Sequence, residues 1–346
     1  MTLFIFPQRP LWRRLCFLDW WRLFRPRVTW MSDMSFPTNT PGNQVKDGSI
    51  ENPARSFRES DWKLRHITLA GLSWPAATDA HDTTPIIMLH GWLDNSLTFV
   101  KLAPELARLG PVYALDFAGH GHSGHRPEGQ SYLLMDYVAD LAELVERYFQ
   151  ETPDGRINLV GHSLGGIVGA LYAAAFPERI RNLVMIDSLG ALSRPVKETI
   201  PQLRKAVKKR IAGSGRQVVY PDIATAAKAR EGGLSPLSPE AALTLIPRNM
   251  KPEGEGYVWQ TDPRLRHPSP LMMTEEQVLA SLSAIETRVL FVRADAGLLS
   301  YRKDLDKRAD AIANLQIVNV PGGHHCHLDG ETGPAATAIR QFLENE

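Results

Sequence analysis

The amino-acid sequence predicts an α/β fold in which helices cover both faces of a mostly parallel sheet. Short apolar runs alternate with amphipathic helical patterns from residue 61 onward. The pentapeptide 161–165 (Gly-His-Ser-Leu-Gly) lies between a strand pattern and a helix pattern. Because strands joined through helices form parallel sheets, we expect the carboxyl ends of the strands to meet at one edge. Ligands bind at that edge in such folds.

The composition narrows the class of protein. A chain of 346 residues fits one large α/β domain with an insertion, or two modest domains. The net charge of +1 argues against a general nucleic-acid-binding protein, which would carry a basic excess. The two cysteines, Cys16 and Cys326, lie at opposite ends of the chain, so no disulfide framework is indicated. We therefore expect a reducing, cytoplasmic location.

The N-terminal segment differs from the rest of the chain. Residues 1–30 mix tryptophan with arginine, and a helix of this kind could bind weakly to a membrane surface, with a peripheral membrane location as the alternative. They could equally be a poorly ordered extension, or sequence upstream of a start at Met31 or Met34. Residues 35–56 have the composition of a linker. We assign residues 1–60 to an extension and linker.

The core is predicted to comprise residues 61–187 and 288–346. It opens with a hairpin whose turn is Ala70-Gly71. The predicted strands are Lys63–Leu69, Leu72–Ala76, Ile86–Leu89, Val112–Leu115, Arg156–Val160, Asn182–Ile186, Arg288–Val292 and Gln316–Val320. The predicted helices are Ser96–Arg108, Tyr132–Phe149, Gly166–Ala175 and Pro334–Leu343.

Residues 188–287 form an insertion that is far longer than an ordinary connection. Its first helix carries an apolar stripe and an opposite basic face, so we expect the stripe to be buried and the basic face to be solvated. Attraction of anionic substrates or of a membrane surface is the alternative role for the basic face. The stripe consists of Val196, Ile200, Leu203, Val207 and Ile211. Further predicted helices are Pro221–Arg230, Pro239–Ile246 and Thr274–Ser281.

The pentapeptide 161–165 is typical of a nucleophile elbow. In this turn a serine, here Ser163, is held between a strand and a helix with its hydroxyl at the edge of the sheet. Glycines flank it because a Cβ would collide with the neighbouring backbone. The N–H of Leu164 begins the helix and can stabilise an oxyanion.

Three further segments follow predicted strands. They are His-Gly-Trp at 90–92, Asp-Phe-Ala-Gly-His-Gly-His-Ser at 116–123, and Gly-His-His-Cys-His-Leu-Asp at 323–329. Together with the elbow, they make residues 62–343 resemble the α/β-hydrolase family. The run 90–95 is similar to the serine-hydrolase-like subgroup. The resemblance implies an α/β-hydrolase fold in which the insertion is a helical lid over the cleft.

The resemblance also implies roles for particular residues. The N–H of Trp92 would be the second oxyanion donor, and His324 would be the catalytic base, since it directly follows the last strand. His90, Gly91 and His162 would lie beside the substrate.

The acid that orients the base has two candidates. In most of the family it follows the strand Arg288–Val292, where Asp295 stands two positions early and Gly297 occupies the usual place. In a minority it follows the preceding strand, where Asp187 stands. Among the histidines, His325 is the next candidate for the base, and His327 is expected to pack behind the base.

These residues predict a serine hydrolase that cleaves a small-molecule carboxylic ester through an acyl-enzyme. Thioesterase, carbon–carbon bond hydrolase and acyltransferase activities use the same residues, and an inactive binding protein is the alternative of another class. We expect no cofactor and no metal, because the resemblance explains the histidine-rich loops without an ion. Cys326 is expected to pack rather than react. The loops contain His120, His122, His125 and His324–His327.

Overall fold

The computed structural model describes residues 57–77, 84–152, 154–302 and 304–345. Residues 1–56 of the predicted extension and linker, including the proposed membrane contact of residues 1–30, lie outside the described residues, whereas residues 58–60 belong to the first strand of the core. Within them, the strands are β1 (Arg58–Lys63), β2 (Thr68–Trp74), β3 (Ile86–Leu89), β4 (Val112–Leu115), β5 (Ile157–His162), β6 (Ile180–Ile186), β7 (Met250–Glu253), β8 (Gly256–Trp259), β9 (Arg288–Ala296) and β10 (Leu315–Gly323).

The strands outside the insertion form one sheet in the order β1-β2-β4-β3-β5-β6-β9-β10. The pairs β1–β2 and β2–β4 are antiparallel, and the pairs from β4 to β10 are parallel. The α/β-hydrolase fold predicted from the sequence is therefore confirmed. Because β3, β5, β6, β9 and β10 run in the same direction, the loops that follow them meet at one edge of the sheet.

Helices cover both faces of this sheet. Alternate residues of β3 point to opposite faces, so that Ile87 packs in the core layer that contains α2 and α3, and Met88 in the layer that contains α9. No helix in the described part of the chain is long and apolar enough to cross a membrane. The helices are α1 (Ala103–Leu106), α2 (Leu134–Tyr148), α3 (Leu164–Ala175), α4 (Thr199–Ala212), α5 (Ile223–Glu231), α6 (Pro239–Leu245), α7 (Glu275–Ser283), α8 (Leu305–Asp310) and α9 (Gly333–Glu344).

Two local predictions in the core were wrong. The first hairpin turns between β1 and β2, and Ala70-Gly71 lies inside β2, because the apolar residues on both sides of it continue one strand. The predicted helix Ser96–Arg108 is two short pieces, a 3₁₀ helix Ser96–Phe99 and α1. Pro104 lies in the first turn of α1, where its missing N–H is tolerated, and it cannot continue a preceding helix. Asn95 caps the 3₁₀ helix, since its side chain accepts a hydrogen bond from the N–H of Leu97.

The insertion is mainly helical, with α4 to α7 close to their predicted positions. It also contains the antiparallel pair β7–β8, which was not predicted. The apolar stripe of α4 was predicted to be buried, and this was wrong. Ala206 is the buried residue of α4, because the helix rests on a small side chain and turns the stripe toward solvent. The stripe residues are exposed by 42 to 81 %: Val196, Ile200, Leu203, Val207 and Ile211.

Candidate active site

Ser163 occupies a strained turn between β5 and α3. Its φ of 51° and ψ of −112° lie outside the regions that ordinary residues favour. The flanking glycines are required by close approach. A Cβ on Gly165 would lie 1.9 Å from the carbonyl oxygen of Leu89, and one on Gly161 would lie 2.4 Å from the backbone of Gly165. The elbow thus packs β5, α3 and β3 so tightly that the serine is held rigidly at the sheet edge.

His324 and Asp187 form a short hydrogen bond at the same edge. The distance from His324 Nδ1 to Asp187 Oδ2 is 2.6 Å. Because an ionised carboxylate only accepts hydrogen bonds, Nδ1 carries the proton and Nε2 is left as the basic nitrogen. The backbone N–H of Leu298 also donates to Asp187 Oδ2, at 2.8 Å. The carboxylate of Asp187 is therefore fixed by two donors, one of which is the imidazole.

Gly297 makes room for the carboxylate of Asp187. A Cβ at position 297 would lie 2.4 Å from Asp187 Oδ1. Asp187 has a φ of 41°, and its N–H donates to the carbonyl of Val292 at 2.8 Å. The alternative candidate Asp295 is exposed on β9, and no hydrogen bond or ion pair from another described residue reaches its carboxylate. Of the two predicted candidates, the structure brings Asp187 to His324.

The two predicted oxyanion donors lie on loops that flank the elbow. Leu164 is the first residue of α3, where a backbone N–H has no partner within the helix. Trp92 follows β3 in a turn that is closed by a hydrogen bond from the N–H of Asp94 to the carbonyl of Gly91. Among the described residues, no carbonyl accepts a hydrogen bond from the N–H of Trp92. Both N–H groups are thus available to an anion.

His90 and His162, which were expected beside the substrate, have completely buried imidazoles. The N–H of Phe117 donates to His90 Nε2 at 3.0 Å, so the Nδ1–H donates to the carbonyl of Gly91 at 2.7 Å. His162 Nε2–H donates to the carbonyl of His324 at 3.0 Å. These buried side chains fix the backbone of the loops that contain Gly91, Phe117 and His324. Gly91 is likewise buried.

A buried cluster beneath His324 was not foreseen from the sequence. His325 Nε2 donates to Asp94 Oδ2 at 3.0 Å, and His162 Nδ1 lies 3.6 Å from the same oxygen. Burial raises the pKa of Asp94, but the neighbouring His325, which also donates a hydrogen bond, and the nearby His162 outweigh this and hold the pKa well below its ordinary value. Burial, and then the nearby His324, lower the pKa of His162 to about 3, so its imidazole is neutral at pH 7.

The same cluster is the set of described residues with the chemistry of a metal site. One ligand atom from each of Asp94, His162 and His325 lies within 4.8 Å of the others. A hydrogen bond already joins Asp94 and His325, so the observed contacts account for their positions. The sequence signal for the cluster was the aspartate two residues after Trp92, which had been assigned no role.

Other histidines and the cysteine have structural partners. His327 Nε2 and Thr98 Oγ1 are 3.0 Å apart in the core. His120 Nδ1–H donates to the carbonyl of Ala118 at 3.1 Å. Burial, followed by the charge of Asp187, raises the pKa of the Cys326 thiol to about 12. The thiol is therefore protonated at neutral pH and is a poor nucleophile. His122 and His125, by contrast, are partly exposed and lie 3.9 and 3.4 Å from carboxylates.

The insertion contacts the loop 92–95 through four consecutive residues. The indole Nε1–H of Trp92 donates to the carbonyl of Leu265 at 3.0 Å, although the Trp92 side chain is half exposed. The insertion is thus attached directly to the loop that carries one candidate oxyanion donor. The other three contacts are Asn249 Nδ2 to the Leu93 carbonyl at 3.1 Å, Arg230 Nη2 to Asp94 Oδ1 at 3.5 Å, and Asn95 Nδ2 to the Leu245 carbonyl at 2.9 Å.

Comparison with known proteins agrees with this fold. The model of the alpha/beta hydrolase fold family matches residues 84–262. The chain therefore belongs to the alpha/beta hydrolase fold family, and its relatives place it with the serine hydrolase-like proteins.

Three similar proteins illustrate the range of sequence and structural similarity. A serine hydrolase-like protein from Danio rerio is 32 % identical over 272 residues, which cover 75 % of this chain and 81 % of that protein. The crystal structure of a hypothetical protein from Pseudomonas aeruginosa PAO1 has a TM-score of 0.75 and 39 % identity, covering 83 % of this chain and 98 % of the other. A 2-(acetamidomethylene)succinate hydrolase from Mesorhizobium japonicum is 28 % identical over 280 residues, covering 75 % of this chain and 87 % of that protein.

Proposed function

We propose that this protein is a serine hydrolase that cleaves a carboxylic ester through an acyl-enzyme intermediate. Ser163 is the nucleophile, His324 the general base and then general acid, and Asp187 the residue that orients the imidazole. The backbone N–H groups of Trp92 and Leu164 stabilise the oxyanion. The insertion acts as a lid that limits which substrates reach the serine.

Each step follows from the proposed roles. His324 Nε2 takes the proton of the Ser163 hydroxyl as Oγ bonds to the ester carbonyl carbon, and the two N–H groups hold the resulting oxyanion. Collapse of the tetrahedral intermediate breaks the carbon–oxygen bond of the ester, and the imidazolium gives its proton to the departing alcohol. Water then attacks the acyl-enzyme with the same base, which releases the acid and restores the serine.

The observation that carries the proposal is the 2.6 Å contact between His324 Nδ1 and Asp187 Oδ2. It fixes the tautomer in which Nε2 is the proton acceptor, and that nitrogen is the one a serine base needs. The strained backbone of Ser163 supports the same role, because such strain is stored where a side chain must be presented in one orientation.

The acyl group and the leaving group of the substrate are to be identified by assay. A thioester or an acyl transfer uses the same nucleophile, base and oxyanion donors. One similar protein is named as a 2-(acetamidomethylene)succinate hydrolase. Acyl compounds that carry carboxylates should therefore be among the substrates that are assayed. Matched esters and thioesters of short acids would rank these classes directly.

Labelling with a fluorophosphonate probe tests the proposal. The wild-type protein should be labelled, and Ser163→Ala and His324→Ala should abolish labelling. Ser283→Ala and His66→Ala are matched controls, since both residues lie at the surface away from the elbow. A folded wild-type protein that is not labelled and hydrolyses no ester or thioester would favour the inactive binding protein instead.

A further inference from the structure

A small cavity lies between the loop after β3 and the insertion. Its volume is about 170 Å³. Pockets for drug-sized ligands hold about 300–1,000 Å³, so this cavity suits a short group rather than a long acyl chain. The residues that line it and enter the argument are Leu93, Tyr220, Arg230, Trp259, Thr261 and Arg266.

The cavity borders the candidate oxyanion loop. Leu93 directly follows Trp92, so their Cα atoms are about 3.8 Å apart. The indole of Trp92 donates to the carbonyl of Leu265, and the next residue, Arg266, lines the cavity. One wall of the cavity is therefore attached to the loop that holds a proposed oxyanion donor.

Two guanidinium groups line this space. Arg230 is partly neutralised, since its Nη2 lies 3.5 Å from Asp94 Oδ1 and its Nη1 donates to the carbonyl of Ser235 at 3.0 Å. Arg266 lies with its Cζ 6.0 Å from the ring centroid of Trp259. No carboxylate of another described residue lies within ion-pair distance of Arg266. The guanidinium of Arg266 is therefore a positive charge in the cavity lining that has no ion-pair partner among the described residues.

A buried hydroxyl adds a second polar group. Thr261 is 3 % exposed, and its Oγ1 has no hydrogen-bond partner among the described residues. A buried donor without a partner is destabilising, so Thr261 Oγ1 marks a place for a ligand oxygen. The apolar parts of Leu93 and Trp259 suit the short carbon chain of such a ligand.

We propose that this cavity binds a carboxylate carried by the substrate, so that the preferred substrates are small esters of dicarboxylic acids with one acid group free. A guanidinium binds the two oxygens of a planar carboxylate in parallel, and the exposed Arg266 side chain lies beside the ring of Trp259. This inference rests on the proposed function for its substrate class, whereas binding of the carboxylate can be measured without catalysis.

A matched pair of esters tests the proposal. Monomethyl succinate carries the carboxylate, and methyl 4-methylpentanoate replaces it with an isopropyl group of similar shape. The wild-type protein should hydrolyse monomethyl succinate with the higher kcat/KM. Arg266→Gln should lower that kcat/KM about tenfold or more, mainly through KM, and leave the neutral ester unchanged. Arg204→Gln, an exposed arginine of the same insertion outside the cavity, should change neither value.

Two outcomes would overturn the subsite. One is a wild-type preference for the neutral ester, and the other is an equal loss for both esters in Arg266→Gln. Titration calorimetry of monomethyl succinate with Ser163→Ala supplies a readout that needs no turnover. Binding to Ser163→Ala that is lost when Arg266→Gln is added supports the subsite. No binding to Ser163→Ala, or binding that Arg266→Gln leaves unchanged, overturns it. If neither ester is cleaved and Ser163 is not labelled, the proposed function fails while this titration still decides the subsite.

Discussion

His324 Nδ1–H donates a hydrogen bond of 2.6 Å to Oδ2 of Asp187, the aspartate that follows β6, whereas Asp295 on β9 is exposed. At position 297, where the resemblance to the family led us to expect the acid, there is a glycine, and the carboxylate of Asp187 fills the space that a side chain there would need. The carboxylate beside His324 is thus supplied from the end of β6 and not from β9.

The close approach of the Asp187 carboxylate to Gly297 predicts that Gly297→Ala impairs catalysis. The new Cβ would lie 2.4 Å from Asp187 Oδ1, so the carboxylate must move away from the imidazole. We expect a loss of labelling rate of about tenfold or more, because displacement by about 1 Å can cost about 10²-fold. Gly333→Ala is the matched control, since a Cβ there meets nothing within 4 Å. Equal rates in the two variants would contradict the role of Asp187.

The buried carboxylate of Asp94 predicts an acid-dependent stability. Its pKa in the folded protein is held below the ordinary value of 3.8, against burial, by His325 and His162. The stabilisation is therefore present above about pH 4 and is lost as the pH falls below it. Asp94→Asn should lower the free energy of unfolding at pH 7 by about 1–3 kcal/mol, since His325 loses a charged partner.

Urea unfolding at several pH values measures this effect. The difference between wild type and Asp94→Asn should shrink toward low pH, and Asp295→Asn should show no such difference. A difference that stays constant from neutral to acid pH would show that the charge of Asp94 is not what stabilises the cluster.

Cys326 is predicted to be inert despite lying two residues after His324. Burial and the charge of Asp187 raise the pKa of its thiol to about 12, so almost no thiolate exists at neutral pH. Treatment with iodoacetamide should leave fluorophosphonate labelling unchanged, and Cys326→Ala should keep most of it. Rapid inactivation that Cys326→Ala prevents would show that the thiol is accessible and reactive.

The exposed stripe of α4 predicts small effects on stability. Ile200→Ser or Val207→Ser should change the free energy of unfolding by less than about 0.5 kcal/mol, because surface substitutions usually do. Leu282→Ala in α7 should cost about 2–5 kcal/mol, since this side chain is completely buried. Denaturant unfolding compares them, and a loss above 2 kcal/mol at Ile200 would mean that the stripe is covered in solution.

Elements whose sequence pattern is local were predictable. The strand at Ile86–Leu89 is a short apolar run, and the helix around Leu141 repeats apolar residues with helical spacing. The sequence of each segment alone therefore indicates its secondary structure. The elbow was equally clear, because strand, turn and helix are contiguous. The stripe of α4 was misread because spacing tells which residues share a face, whereas burial depends on what packs against that face.

Long-range pairings could not be read from the chain. The choice between Asp187 and Asp295 depends on a contact across 137 positions of sequence, between His324 and the end of β6. The contact between Asp94 and His325 spans 231 positions. Such pairs are set by the order of strands in the sheet, so the sequence could name candidates for the acid without selecting one.

The measurement that tests the central claim most directly is the rate of fluorophosphonate labelling in Asp187→Asn beside Asp295→Asn. If Asp187 orients His324, Asp187→Asn should label more slowly by up to about 10⁴-fold, because the amide favours the wrong tautomer of the imidazole. Asp295→Asn should label at the wild-type rate. A slow Asp295→Asn with an unaffected Asp187→Asn would contradict the assignment of Asp187 as the acid.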